Sequence, residues 1–189
     1  MRNVEQELKL ALTEREYEIM ARLTNATPQL QTNYYFTSRG LGNDTMVRVR
    51  QKGSTYTLCY KKRLQNADGV TVSDEHECEI SADFANTLIS RGIYPKHIND
   101  MLGTDLYEVM LCVGQLQTYR TTFTLDQWTL ELDKNIYFGV TDYELECECN
   151  QIEHLNKLKN FLSYHYGIVV RNALPKSQRF FEEKSRQGR

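Results

Sequence analysis

The sequence predicts an α+β chain that is mainly β, a sheet or barrel with a few helices packed outside it. Three observations carry that expectation. Strand-like stretches dominate, over 4–12, 33–38, 46–52, 55–63, 71–80, 105–113, 117–124, 127–134 and 142–150. Helical signals are few and lie between or after them. Charged and apolar residues alternate along most of the strands, the period of a pleated sheet whose two faces differ.

The elements follow in order. In "VEQELKLAL", at 4–12, Glu5, Glu7 and Lys9 share one side, with mostly apolar groups on the other. Thr13 followed by Glu16 forms a capping box ahead of "EYEIMARL". "MVRVRQK" places Arg48, Arg50 and Lys52 opposite Val47 and Val49, and "DEHECEI" places Glu75, Glu77 and Glu79 opposite His76, Cys78 and Ile80. Ser81 caps "ADFANTLISR", which Gly92 ends, and Pro95 opens a short helix that runs to Gly103. "QTYRTTF" carries Arg120 beside Thr118 and Thr122. "WTLELDK" sets Glu131 and Asp133 against Trp128, Leu130 and Leu132, and "DYELECEC" sets Glu144, Glu146 and Glu148 against Tyr143, Leu145, Cys147 and Cys149. "QIEHLNKLKNFLSYHYG" has apolar residues at 152, 155, 158, 161 and 162, one helical face, and stops at Gly167. The tail from Lys176 alternates in charge and reads as helical, becoming flexible from about 180.

At 189 residues and 40% apolar composition, the chain is long enough for a real core and reads as a single domain over 1–189. Its 23 Lys+Arg and 25 Asp+Glu give a net charge of −2, which argues against a general nucleic-acid or membrane binder. No stretch is apolar for long enough to span a membrane, and "MRNVEQELKL" lacks the apolar core of a signal peptide. Five cysteines without the spacing of a disulfide scaffold fit a reducing compartment, so a cytoplasmic location is expected. Cys147 and Cys149 read as buried thiols on the apolar face of a strand rather than as a metal pair. The four histidines show no ligand or triad spacing, and no Walker loop, nucleophile elbow or H-E-x-x-H occurs.

Amphipathic strands are ordinary in an antiparallel sheet with one wet side. Here the charges are sorted by sign: three glutamates share one strand face, and arginines occupy another. Like charges placed side by side destabilise a sheet. A face built that way suits a binding site. Clustered carboxylates free of His and Cys suit Mg²⁺ or Mn²⁺. Clustered Arg and Lys suit phosphate oxygens. Together they describe a metal–polyphosphate site.

The E-x-E-x-K of Glu5-Gln6-Glu7-Leu8-Lys9 is followed in order by "VRVR", "LCYKK", "ECE", "YRTTF", "LELDK", "YELECE" and a late "KSQR". That series, running to about Arg179, resembles the CYTH family, also called triphosphate tunnel metalloenzymes. It is most similar to the stand-alone bacterial members that often carry adenylate cyclase names. The resemblance implies an eight-stranded antiparallel closed barrel, the triphosphate tunnel, with helices outside. It implies a divalent metal, Mg²⁺ or Mn²⁺, and a triphosphate-bearing small molecule as partner, with a monomer or homodimer as the assembly. Matched residue by residue, Glu5 and Glu7 are the first acidic pair, Lys9 the motif lysine, Arg48 and Arg50 the arginine strand. Lys61 ends the next strand, although parity alone does not choose between it and Lys62. Glu77 and Glu79 are the middle acidic pair, with Glu75 as a rim residue. Arg120, Asp133, Glu146 and Glu148 follow, and Glu144 has the same parity as the last two. Lys176 is the late lysine, and Arg179 belongs to the same basic motif.

The implied activity is metal-dependent hydrolysis of inorganic triphosphate or of a nucleoside or thiamine triphosphate. On this reading Glu5, Glu7, Glu77, Glu79, Asp133, Glu144, Glu146 and Glu148 supply metal ligands. Lys9, Arg48, Arg50, Lys61, Arg120, Lys176 and Arg179 bind phosphate, and Glu5, Glu7, Lys9 and Lys176 act at the reacting centre. An adenylate cyclase making cyclic AMP and pyrophosphate, and a non-catalytic polyphosphate or nucleotide sensor, would use the same face.

Overall fold

The computed structural model describes residues 2–67, 70–148 and 152–188, and side chains outside 2–6, 65–71, 97 and 152. The Glu5 carboxylate and Cys149 therefore lie outside the described side chains. In chain order the elements are β1 (Arg2–Leu12), α1 (Glu14–Ala21), β2 (Gln29–Thr37), β3 (Thr45–Lys52), β4 (Thr55–Ala67) and β5 (Val70–Ile80). They continue with α2 (Ala82–Arg91), α3 (Pro95–Leu102), β6 (Leu111–Leu125), β7 (Trp128–Tyr137), β8 (Val140–Glu148), α4 (Ile152–Tyr166) and α5 (Lys176–Arg186). The eight strands hydrogen-bond in the order β1-β5-β4-β3-β2-β6-β7-β8, that of a closed barrel. The expected fold class is thus the one observed.

The local signals act as the chemistry requires. Thr13 accepts a hydrogen bond from the Glu16 amide at 3.3 Å, and the Glu16 carboxylate accepts one from the Thr13 amide at 2.7 Å, closing the capping box of α1. Ser81 caps α2 through the Phe84 amide, and Gly103 closes α3 at φ 63°, where a Cβ would be strained. One strand-like stretch does not form. Residues 105–110 stay outside the strands apart from a single bridge between Ile93 and Met110, and β6 starts at Leu111. Asn99 takes up the backbone groups instead: its Nδ2 donates to the Leu106 carbonyl at 2.8 Å, and its Oδ1 accepts from the Leu106 amide at 3.1 Å. A side chain that satisfies a peptide in this way competes with a sheet ladder.

Two compact units can be described, each with its own core. One comprises residues 1–5, 30–64 and 73–117. In it Phe36, Val47, Val49, Leu58 and Ile80 pack against Ala85 and Leu88 of α2 and Ile98 and Leu102 of α3. The other comprises residues 6–29, 65–72 and 118–189. There Leu8, Leu10, Trp128, Leu130, Leu132, Leu145 and Cys147 pack against Met20 of α1 and Leu155, Leu158 and Leu162 of α4. In both units helices cover the apolar strand face, which leaves the charged face on the opposite side. No described helix is long and apolar enough to cross a membrane.

Candidate active site

The hairpin between β7 and β8 fixes the register of the acidic face. Phe138 and Gly139 both take positive φ, 47° and 82°, the pattern of a tight turn whose twist matches the strands it joins. Phenylalanine is unusual there; its ring lies 4.7 Å from Phe180 of α5, and its carbonyl accepts from Gln187. The turn pairs Asp133 with Glu144 and Glu131 with Glu146 across the two strands. On the other side of β8, Lys9 lies opposite Glu146 and Glu7 opposite Glu148. Alternation then puts Glu7, Lys9, Glu131, Asp133, Glu144, Glu146 and Glu148 on one face.

Unpaired, those carboxylates would repel one another in a poorly solvated space. They are laced by four cations. Lys9 pairs with Glu7 at 2.8 Å and with Glu146. Arg120 grips Asp133 as a fork, at 2.8 Å and 2.6 Å, and also reaches Glu131 and Glu146. Lys176, the first residue of α5, contacts Asp133 at 2.8 Å, Glu146 at 3.0 Å and Glu144. Arg179, one helical turn on, pairs with Asp142 and Glu144. Burial pulls the Lys9 ammonium downward, but Glu146 and Glu7 outweigh it and hold the group charged. Lys176 goes the other way: burial lowers it well below an ordinary lysine, Asp133 opposes, and Arg120, Lys9 and Arg179 add to the fall. Glu131 is raised, by burial first and by Glu146 and Asp133, against the pull of Arg120.

Among the described residues this network joins six carboxylates, Glu7, Glu131, Asp133, Asp142, Glu144 and Glu146, to the four cations. Asp133, Glu144 and Glu146, all buried, offer oxygens within 4.8 Å of one another. Hard oxygen donors, buried and clustered, fit Mg²⁺ or Mn²⁺. Glu148 is exposed at the end of β8 and is not one of this triplet.

The basic strand occupies the charged face of the other unit. Arg48 lies opposite Tyr35 and Cys59, and Arg50 opposite Asn33 and Thr57. Asn33 accepts from Arg50 Nε at 3.2 Å and so sets its angle. Arg48 is buried, and its Nε has no hydrogen-bond partner among the described residues. An orphaned guanidinium nitrogen is costly unless an anion meets it. Met46 pairs with Lys61, which places Lys61 on the face of Arg48 and Arg50, and Lys62 on the other. Lys61 pairs with the buried Glu75. Glu77 is half-buried and Glu79 exposed. His76 lies on the opposite face, its Nδ1 2.5 Å from the Leu102 carbonyl.

Sequence reasoning assigned no role to Glu131, Asp142 or Asn33. The first two share the parity of their acidic neighbours, so the signal was there. Asn33 carries none, because only the β2–β3 register brings it to Arg50.

Comparison with known proteins identifies the family. Residues 3–177 match the CYTH domain model. The Bacillus subtilis (strain 168) protein named "Putative triphosphatase YjbK" is 26% identical over 189 residues, covering 96% of each chain. HpAC1 from Hippeastrum, an adenylyl cyclase by name described as having a dominant triphosphatase activity, superposes with a TM-score of 0.79 at 22% identity, over 95% of this chain and 96% of that one. A Bacillus halodurans protein carrying an adenylate cyclase name gives 0.75 at 23% identity, over 95% and 98%. At that identity the two structures speak for the fold alone. With the family model matching nearly its whole length, the chain belongs to the CYTH domain family.

Proposed function

We propose that this chain is a metal-dependent triphosphatase, cleaving the terminal phosphoryl group from inorganic triphosphate or an organic triphosphate. The observation that carries the reading is the buried Asp133–Glu144–Glu146 triplet, whose oxygens converge within 4.8 Å of one another. The triphosphatase name of the Bacillus subtilis relative supports it.

Asp133, Glu144 and Glu146 would hold Mg²⁺ or Mn²⁺, with Glu5, Glu7 and Glu148 as further carboxylate donors. Bound there, the ion would neutralise charge on phosphoryl oxygens. Phosphoryl transfer needs positioning and charge neutralisation more than covalent help. Lys9 and Arg120, kept positive by their carboxylate neighbours, bind phosphate oxygens. Arg48, Arg50 and Lys61, in the other unit, would also bind phosphate oxygens; among the described residues Arg48 Nε has no hydrogen-bond partner. A carboxylate of the acidic face orients the attacking water. Lys176 turns from carboxylate to phosphate when substrate is present.

The test is phosphate release from inorganic triphosphate, ATP and thiamine triphosphate, each with Mg²⁺, with Mn²⁺ and without metal. Metal-dependent release from at least one is expected. Cyclic AMP and pyrophosphate from ATP would make the chain a cyclase instead, and binding without turnover a sensor.

A further inference from the structure

We infer that Lys176 stands in the cation position of the carboxylate triplet, so that the site takes a divalent ion together with a polyphosphate far better than the ion alone. The inference rests on the metal reading proposed above and deepens it by assigning Lys176 the control of ion entry at that same site.

Lys176 Nζ contacts an oxygen of each member of the triplet, Asp133 Oδ2 at 2.8 Å, Glu146 Oε1 at 3.0 Å and Glu144 Oε1. These are the same three residues that converge as metal ligands. An ammonium bonded to all three cannot share that space with a doubly charged ion. Metal entry therefore requires Lys176 to leave.

The mounting permits that exit. A lysine stem is long and flexible, and Lys176 sits at the very start of α5, behind Pro175, which provides no side-chain cap. The helix is anchored farther along, by Phe180 against Phe138 and Gln187 on the Phe138 carbonyl. The head can swing while the body stays docked.

Lys9 and Arg120 share Glu146 with that ammonium and Arg179 shares Glu144, so an evicted head stays close to like charge. A polyphosphate removes the conflict by accepting the ammonium that the metal evicts. Each ligand thus raises the affinity of the other, and by linkage the factor is equal in both directions.

The test measures Mn²⁺ binding to the full chain by electron paramagnetic resonance, with and without the non-hydrolysable probe imidotriphosphate. In the wild type, imidotriphosphate should tighten Mn²⁺ at least tenfold. Lys176→Met, which keeps the stem without the charge, should bind Mn²⁺ alone at least tenfold more tightly than the wild type, with the coupling to the probe reduced. Equal or weaker Mn²⁺ binding by Lys176→Met overturns the inference and leaves the metal reading standing. No Mn²⁺ binding to either protein, with or without the probe, overturns the metal reading itself. A second measurement needs no variant. Amine labelling of the wild type, read by mass spectrometry, should find Lys176 protected without metal and reactive once Mn²⁺ saturates the protein. Unchanged protection at saturation overturns the exchange.

Discussion

Glu16 shows how much one side chain can hold. Its carboxylate closes the α1 capping box, accepts from the Val169 amide at 2.9 Å and pairs with Arg171. Burial alone would raise it, but the hydrogen bonds from Thr13 and Val169 and the charge of Arg171 win, and it stays below its ordinary value of 4.5. A depressed folded value means the stabilisation is full at neutral pH and is lost as pH falls through that value. Glu16→Ala should therefore cost about 1–3 kcal/mol at pH 7. In chemical denaturation the gap between wild type and variant should close as the buffer is taken below pH 4.5. Glu7 makes a different case. Glu7→Gln keeps the shape but removes a charge that pairs with Lys9 at 2.8 Å. Phosphate release should fall by about 100-fold or more while the thermal midpoint moves little; undiminished turnover would remove Glu7 from the mechanism. The faces of these residues were legible in the sequence, because alternation is strict. The choice between Lys61 and Lys62 was not, since it depends on Lys61 pairing with Met46 across the β3–β4 ladder.

Among the elements, the starts of α1 and α2 were the most legible, because each is written in a cap and the three residues after it. The strand boundaries were less so: the stretch from 105 to 113 has strand-like residues, yet Asn99, on a neighbouring helix, claims the Leu106 amide and carbonyl. The partners within the site were the least legible. Lys9 and Glu146 are 137 residues apart in the chain, and only the β1–β8 register joins them. Helix α5 belongs to this scale too, because it delivers Lys176 and Arg179 together on one turn. Its dock is Phe180, fully buried against Phe138 and Tyr137. Phe180→Ala removes contact worth about 3–5 kcal/mol. Amide exchange should then rise throughout α5 while the amides of β7 and β8 keep their protection; uniform protection across α5 would show that something else anchors it.

On the scale of the whole molecule, two hydrophobic cores, one in each unit, back the two charged faces. The overall architecture was readable because the order of charged strands is itself a signature. The division into two cores was not, since an apolar face does not say which helix covers it. A ligand that binds only the folded state at 100 times its dissociation constant adds about 2.7 kcal/mol. For a chain of this size that corresponds to a rise of about 5–11 °C in Tm. Mn²⁺ with imidotriphosphate should produce such a rise, and no shift at saturation would count against a preformed site.

The acidic network also bears on how the protein is made. Many metal-binding folds stay open until the ion arrives, because their ligands cannot be brought together without it. Here Lys9, Arg120, Lys176 and Arg179 are built-in counterions. With these counterions in place, the chain is expected to complete its folding without metal. Stripping with a strong chelator should leave the chain folded while silencing its turnover. If the proposed metal acts here, its scarcity would be a pause rather than a loss.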